Sequence, residues 1–135
     1  MGKYVDTRTD IFSVFALETW IAEGINTYPD NFIAVSPGNE FLRVSVIPNG
    51  EGLNASSTSG ILIIDIFTEF GNGPSRTFVI ADLLDTYLSR KSVTAASGYV
   101  TQFTDSVLDI AGKDADNASL FRATYTIPFS YFGVQ

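Results

Sequence analysis

Residues 71–76 read Gly-Asn-Gly-Pro-Ser-Arg, preceded by a β-branched apolar run and followed by a helical pattern. A strand, Gly-x-Gly and a helix are how many phosphate-binding loops look: glycines let backbone amides approach the anion, and the helix N-terminus supplies a positive field. The spacing does not complete either motif. A dinucleotide fingerprint needs a third Gly where Arg76 stands, and no acid for a ribose lies between Asp85 and Asp105. No Gly-Lys-Ser/Thr follows, so a P-loop fails too. The stretch is a strand-to-helix turn, with Pro74 or Ser75 opening the helix.

Other chemistry is tested in the same way. Asp114-Ala115-Asp116-Asn117 has the start of a calcium loop, but Ser119 and Tyr125 occupy the positions of its Gly and Glu. Asp65 and Glu69, four apart on a strand, lie roughly 13 Å apart at strand rise, too far for a retaining carboxylate pair. Lys3, Lys91 and Lys113 fall at element ends or loops, where a depressed pKa is not expected. The chain has no His and no Cys, which removes imidazole bases, thiolate nucleophiles, disulfides and the common zinc sites. No catalytic constellation, metal site or cofactor is expected, and the chain does not read as an enzyme.

The elements that position these residues form one domain, residues 1–135. At 45% hydrophobic and 17% charged, with eleven Phe, six Tyr and one Trp, the chain can build a core and still present aromatics at an interface. Its net charge of −7 argues against a grip on nucleic-acid phosphates. No apolar run reaches the ~20 residues of a membrane helix, and the acids Asp6, Asp10 and Glu18 are wrong for a secretion signal. The expectation is a soluble, cytosolic chain.

Periodicity predicts a helix over residues 7–23, capped by Asp6 or Thr9 and stopped by Gly24. A turn at 28–31 leads to a short strand at 32–35 and a second turn at 36–39. A half-buried strand at 40–47 turns Leu42, Val44 and Val46 inward. Residues 49–60, rich in Gly, Asn and Ser, read as a flexible loop. A strand at 61–70 turns Leu62, Ile64 and Ile66 to the core, with Asp65 and Glu69 on the opposite face. A second helix, 77–89, buries Ile80, Leu83, Leu84, Tyr87 and Leu88 and points Asp82 and Asp85 outward. Two long strands, 99–110 and 119–131, complete the chain, the second at a sheet edge or ending its pairing at Pro128. The fold class is α+β: a mostly antiparallel sheet with two amphipathic helices on one face, in the order α-β-β-β-α-β-β.

In that order, the segment from Tyr28 to Leu88 resembles the tail terminator proteins of long-tailed bacteriophages. The likeness rests on Pro-Asp-Asn-Phe at 29–32, Phe-Leu-Arg-Val-Ser-Val-Ile-Pro at 41–48 and Gly-Ile-Leu-Ile-Ile-Asp-Ile-Phe at 60–67. It continues through Gly-x-Gly at 71–73, Ile-Ala-Asp-Leu-Leu at 80–84 and the ending Tyr-Thr-Ile-Pro-Phe-Ser-Tyr at 125–131. The resemblance implies a hexameric ring, assembled in the host cytoplasm and carried on the virion tail. The ring would cap the tail tube, stop its polymerisation and offer a joining surface to the neck proteins of the head. Its partners would be other copies of itself, the tail tube protein and head-tail connector proteins, with DNA passing through unbound and no membrane involved. Alternatives are another neck, connector or tail tube ring subunit, or a small ligand-binding or enzymatic α+β domain. On the ring reading, Asn54, Ser56 and Thr58 contact the tube or an adjacent subunit. Arg43, Arg76 and Arg122 meet acids across subunits or are ordinary solvated charges, and Asp114 and Asp116 face the channel.

Overall fold

A computed structural model describes residues 2–29, 40–69, 71, 75–94, 99–113 and 120–133. The fold is α+β. Three helices and seven strands follow the order α1 (Lys3–Phe15), α2 (Glu18–Ala22), β1 (Asn26–Pro29), β2 (Phe41–Glu51), β3 (Thr58–Glu69), α3 (Ser75–Leu88), β4 (Ser92–Val93), β5 (Val100–Phe103), β6 (Val107–Lys113), β7 (Leu120–Phe132). One mostly antiparallel sheet runs β1-β2-β3-β7-β5-β4, with β6 also paired to β7. Among the described strands only β1 pairs in parallel, with β2. The expected strand at 32–35 and turn at 36–39 lie outside the described residues, as do Asp114, Asp116 and residues 72–74.

Alternation along the strands divides the sheet into two faces. Leu42, Val44, Leu62, Ile64, Ile66, Ala123, Tyr125, Ile127 and Phe129 share the buried face, as the alternation predicts. Both amphipathic helices pack there: Ile11 and Val14 of α1 and Ile80, Leu84 and Leu88 of α3 join one cluster with those strand residues. Leu83 and Tyr87, expected inside, sit at the rim of that cluster.

The first helix is not continuous. It breaks at Leu17, whose backbone is extended at φ −62° and ψ 139°, and resumes as α2. Periodicity explains the break. Trp20 lies nine residues after Ile11, about 180° around a straight helix at ~100° per residue, and so would face away from the core. The kink turns it back to 1% exposure, edge-on to Phe15 and Tyr87 at 5.4 and 5.3 Å. Its indole N–H donates to Thr27 Oγ1 at 3.1 Å. Gly24 ends the segment at φ +74°, as the sequence indicates. Neither expected cap operates, because the N-cap is Gly2 and Thr9 donates to the Val5 carbonyl within the helix.

Three further differences bear on function. Half of the 49–60 segment is strand, because β2 continues to Glu51 and β3 starts at Thr58. Glycine makes this close pairing feasible: a Cβ on Gly60 would lie 2.0 Å from the Ile47 carbonyl oxygen. The expected strand at 99–110 is two strands, β5 and β6, lying end to end along one side of β7. Finally, β7 is central rather than an edge, with β3 on its other side. Pro128 explains both of the last points. Its carbonyl accepts from Thr104 N–H at 3.2 Å, so its nitrogen, which carries no hydrogen, faces the gap between β5 and β6. Pairing stops at Pro128 on that side only.

Candidate assembly interface

Opposite the helices, the sheet presents residues in rows set by strand register. Phe41, Phe67 and Arg122 form the first row, and Arg43, Asp65, Thr124 and Asp109 the second. Ser45, Ile63, Thr126 and Val107 form the third, and Ile47, Ile61 and Pro128 the fourth. No described helix covers this face. Its charged end is built around an aromatic pair, with Phe41 and Phe67 stacked at 4.5 Å and 16°. Arg43 and Arg122 set their guanidinium carbons 5.2 and 5.8 Å from the Phe67 ring centre, and Phe67 is 2% exposed. Cations over a ring face gain from its quadrupole, and the arginine stems add apolar cover.

Asp65 is buried in this cluster, and its Oδ1 accepts from Arg122 at 3.1 Å and from Thr124 Oγ1 at 3.2 Å. Arg122, expected either to meet an acid across subunits or to be a solvated charge, is paired within the chain with the buried carboxylate beside it. Arg76 is held too. It forms a two-armed pair with Glu40, tying the start of α3 to the start of β2, with Arg76 Nη2 to Glu40 Oε2 at 3.2 Å. The Glu40 hydrogen bond, opposed by partial burial, raises the guanidinium pKa above its ordinary value. A cation in the first turn of a helix opposes the macrodipole, and Glu40 offsets this. Of the three arginines, Arg43 alone has no ion pair among the described residues, and it is exposed.

The residues of the expected contact loop are organised by Asn54. Its Oδ1 accepts from Ser56 N–H at 2.8 Å and Ser57 Oγ at 3.1 Å, and its Nδ2 donates to the Gly133 carbonyl at 3.1 Å. Gly133 N–H also donates to Ser57 Oγ at 3.0 Å. Asn54 and Ser57 thus tie the β2–β3 turn, expected as a flexible loop, to the end of β7. Thr58, expected at a contact, is buried in β3 opposite Tyr131. Ser56 remains half-buried, while Leu53, which sequence reasoning passed over, is 83% exposed at the tip of the turn. Its signal was a large apolar residue inside an otherwise polar stretch.

One internal node also escaped the sequence. Asp85, expected to point outward, accepts from Tyr125 Oη and from Ser106 Oγ, each at 2.6 Å. This joins α3 to β7 and to the break between β5 and β6. Burial, followed by the hydrogen bond to Asp85, holds the Tyr125 phenol above its ordinary pKa.

Comparison with known proteins adds the fold alone. No protein-family model matches the chain, and no curated protein matches it. One solved protein structure, whose designation carries no function, is 11% identical, covering 98% of this chain and 94% of its own, with a TM-score of 0.66.

Proposed function

We propose that this chain is a structural subunit of a bacteriophage tail, a tail terminator whose ring caps the tail tube and presents a joining surface to the head. The observation that carries the reading is the sheet face opposite the helices. It offers rows of apolar and hydroxyl side chains, half-buried and broad, with Arg43, which has no ion pair among the described residues, at one end. Such a surface suits another protein better than a small molecule, since small ligands are gripped in concave sites. The resemblance of residues 28–88 and 125–131 to tail terminators supports the same reading, and it falls largely on β2, β3, α3 and β7. A net charge of −7 suits a channel along which DNA slides.

On this reading Arg43 and the Leu53 turn meet other subunits or the tube, and the protein is not an enzyme. The expected result is a ring in solution, seen as a mass several times that of one chain and as annuli by electron microscopy. Added to polymerising tail tube protein, the ring halts growth. A chain that stays monomeric at micromolar concentration and leaves tube growth unaltered would refute the proposal. A ring that forms but does not stop growth identifies a neck or connector subunit instead.

A further inference from the structure

Between the first turn of α1, the end of β7 and the β2–β3 turn lies a cavity of about 380 Å³. Tyr4, Tyr99 and Tyr131 line it, with Ser56 and Lys3 at its wall and Asp6 opening into it. Asp6 is 6% exposed. Its one side-chain hydrogen bond is long: Tyr131 Oη donates to Oδ2 at 3.4 Å. Among the described residues, Oδ1 has no hydrogen-bond partner and no cation pairs with the carboxylate.

The other buried or half-buried acids are better satisfied. Asp65 has Arg122 and Thr124, Asp85 has Tyr125 and Ser106, and Asp10 accepts from Thr101 at 2.9 Å. Asp6 Oδ1 is not among the buried atoms without a partner, so it is reached from the cavity. A cation placed there would give the carboxylate the compensating charge and donor that its own surroundings do not. The α1 N-terminus offers Asp6 roughly half a positive charge, not a full one. The nearby amine of Lys3 makes no ion pair with Asp6 among the described residues; it lies at the wall of the same cavity, 5.1 Å from the centre of the Tyr4 ring.

We infer that this cavity is a binding site for an organic cation, specifically a guanidinium group. Asp6 Oδ1 accepts from one arm of the guanidinium fork, and the planar cation lies against a tyrosine ring. Tyrosine faces attract cations, and guanidinium stacks on them where a compact ammonium does not. The group can belong to an arginine of a second copy or to another molecule; the chemistry is the same. The inference is independent of the ring reading.

The probe is N-acetyl-L-arginine methylamide, titrated by calorimetry or chemical-shift perturbation against the full chain. Saturable binding on the order of millimolar is expected for so small a ligand. Asp6→Asn should weaken it at least tenfold while leaving the urea midpoint unchanged or raised, because the substitution removes a buried charge. Tyr99→Ala provides a second variant and should weaken binding several-fold. Lys3→Gln should bind at least as tightly as wild type, since it removes a competing cation. Excess probe that lowers the solution mass assigns the site to an arginine of a second copy, and an unchanged mass assigns it to a different molecule; either supports the site. Absence of saturation in both wild type and Lys3→Gln overturns the inference. So does equal binding of the neutral N-acetyl-norleucine methylamide, or undiminished binding to Asp6→Asn.

Discussion

Tyr125 crosses from the central strand to the carboxylate of Asp85, and this contact sets two measurable properties. Tyr125→Phe keeps the ring and removes the donor, leaving Asp85 with Ser106. The expected cost is about 1.5–3 kcal/mol in urea unfolding, the range for a hydrogen bond to a charged group. The phenol also contributes a pH dependence. Its folded pKa is raised, so its share of stability is fully present below the unfolded value of about 10 and falls as pH climbs from there towards the folded value. Unfolding measured from pH 8 to 11 should show an alkaline loss that is smaller in Tyr125→Phe.

Arg122 and Arg43 flank the same ring, yet they should behave differently. Arg122→Ala strands the buried carboxylate of Asp65 with Thr124 as its one remaining side-chain donor, and about 2–3 kcal/mol of destabilisation follows, toward the lower end for a half-exposed pair. Arg43→Ala removes an exposed cation and part of an aromatic's cover, costing under about 1 kcal/mol. Loss of ring formation without loss of stability in Arg43→Ala would mark it as an interface residue. The sequence showed that both arginines share a face with Asp65. It did not show which arginine the acid selects, because that depends on rotamers across three strands.

At the level of elements, alternation and helical period revealed the buried faces of β2, β3 and β7 and the stripe of α3. Each is long enough for many residues to agree. What stayed hidden was decided by contacts distant in sequence. The α1–α2 break carries no Gly or Pro and exists because Trp20 must reach Phe15 and Tyr87. The β2–β3 turn looked loose because Gly, Asn and Ser are common in mobile loops, yet here the same residues supply its hydrogen bonds and its close backbone approach. Asn54→Ala tests this. It should cost about 1–3 kcal/mol by leaving Gly133 and the turn amides short of partners, and hydrogen exchange should quicken at Ser56 and Gly133 together. Leu53→Asp should leave stability within about 0.5 kcal/mol, as exposed positions do. A drop in tube capping with that variant would assign the turn tip to the tube contact.

For the whole molecule, what the sequence made legible was the class: α+β, with helices on one face of a mostly antiparallel sheet. The path of the sheet was not legible, because Pro128 suggested an edge strand and β7 is central. That placement has a consequence for how the protein is made. β7 is synthesised after β3, β5 and β6, yet it is hydrogen-bonded to all three. Until it emerges from the ribosome, the described sheet is three unjoined parts, β1-β2-β3, β4-β5 and β6 alone, and the long β-branched edge of β3 is bare where β7 belongs. Non-local pairing of this kind is slow, and such edges invite pairing with other chains. Folding of the sheet therefore cannot finish before β7 has emerged. The interval before β7 docks is when newly made copies are most exposed to joining in the wrong register.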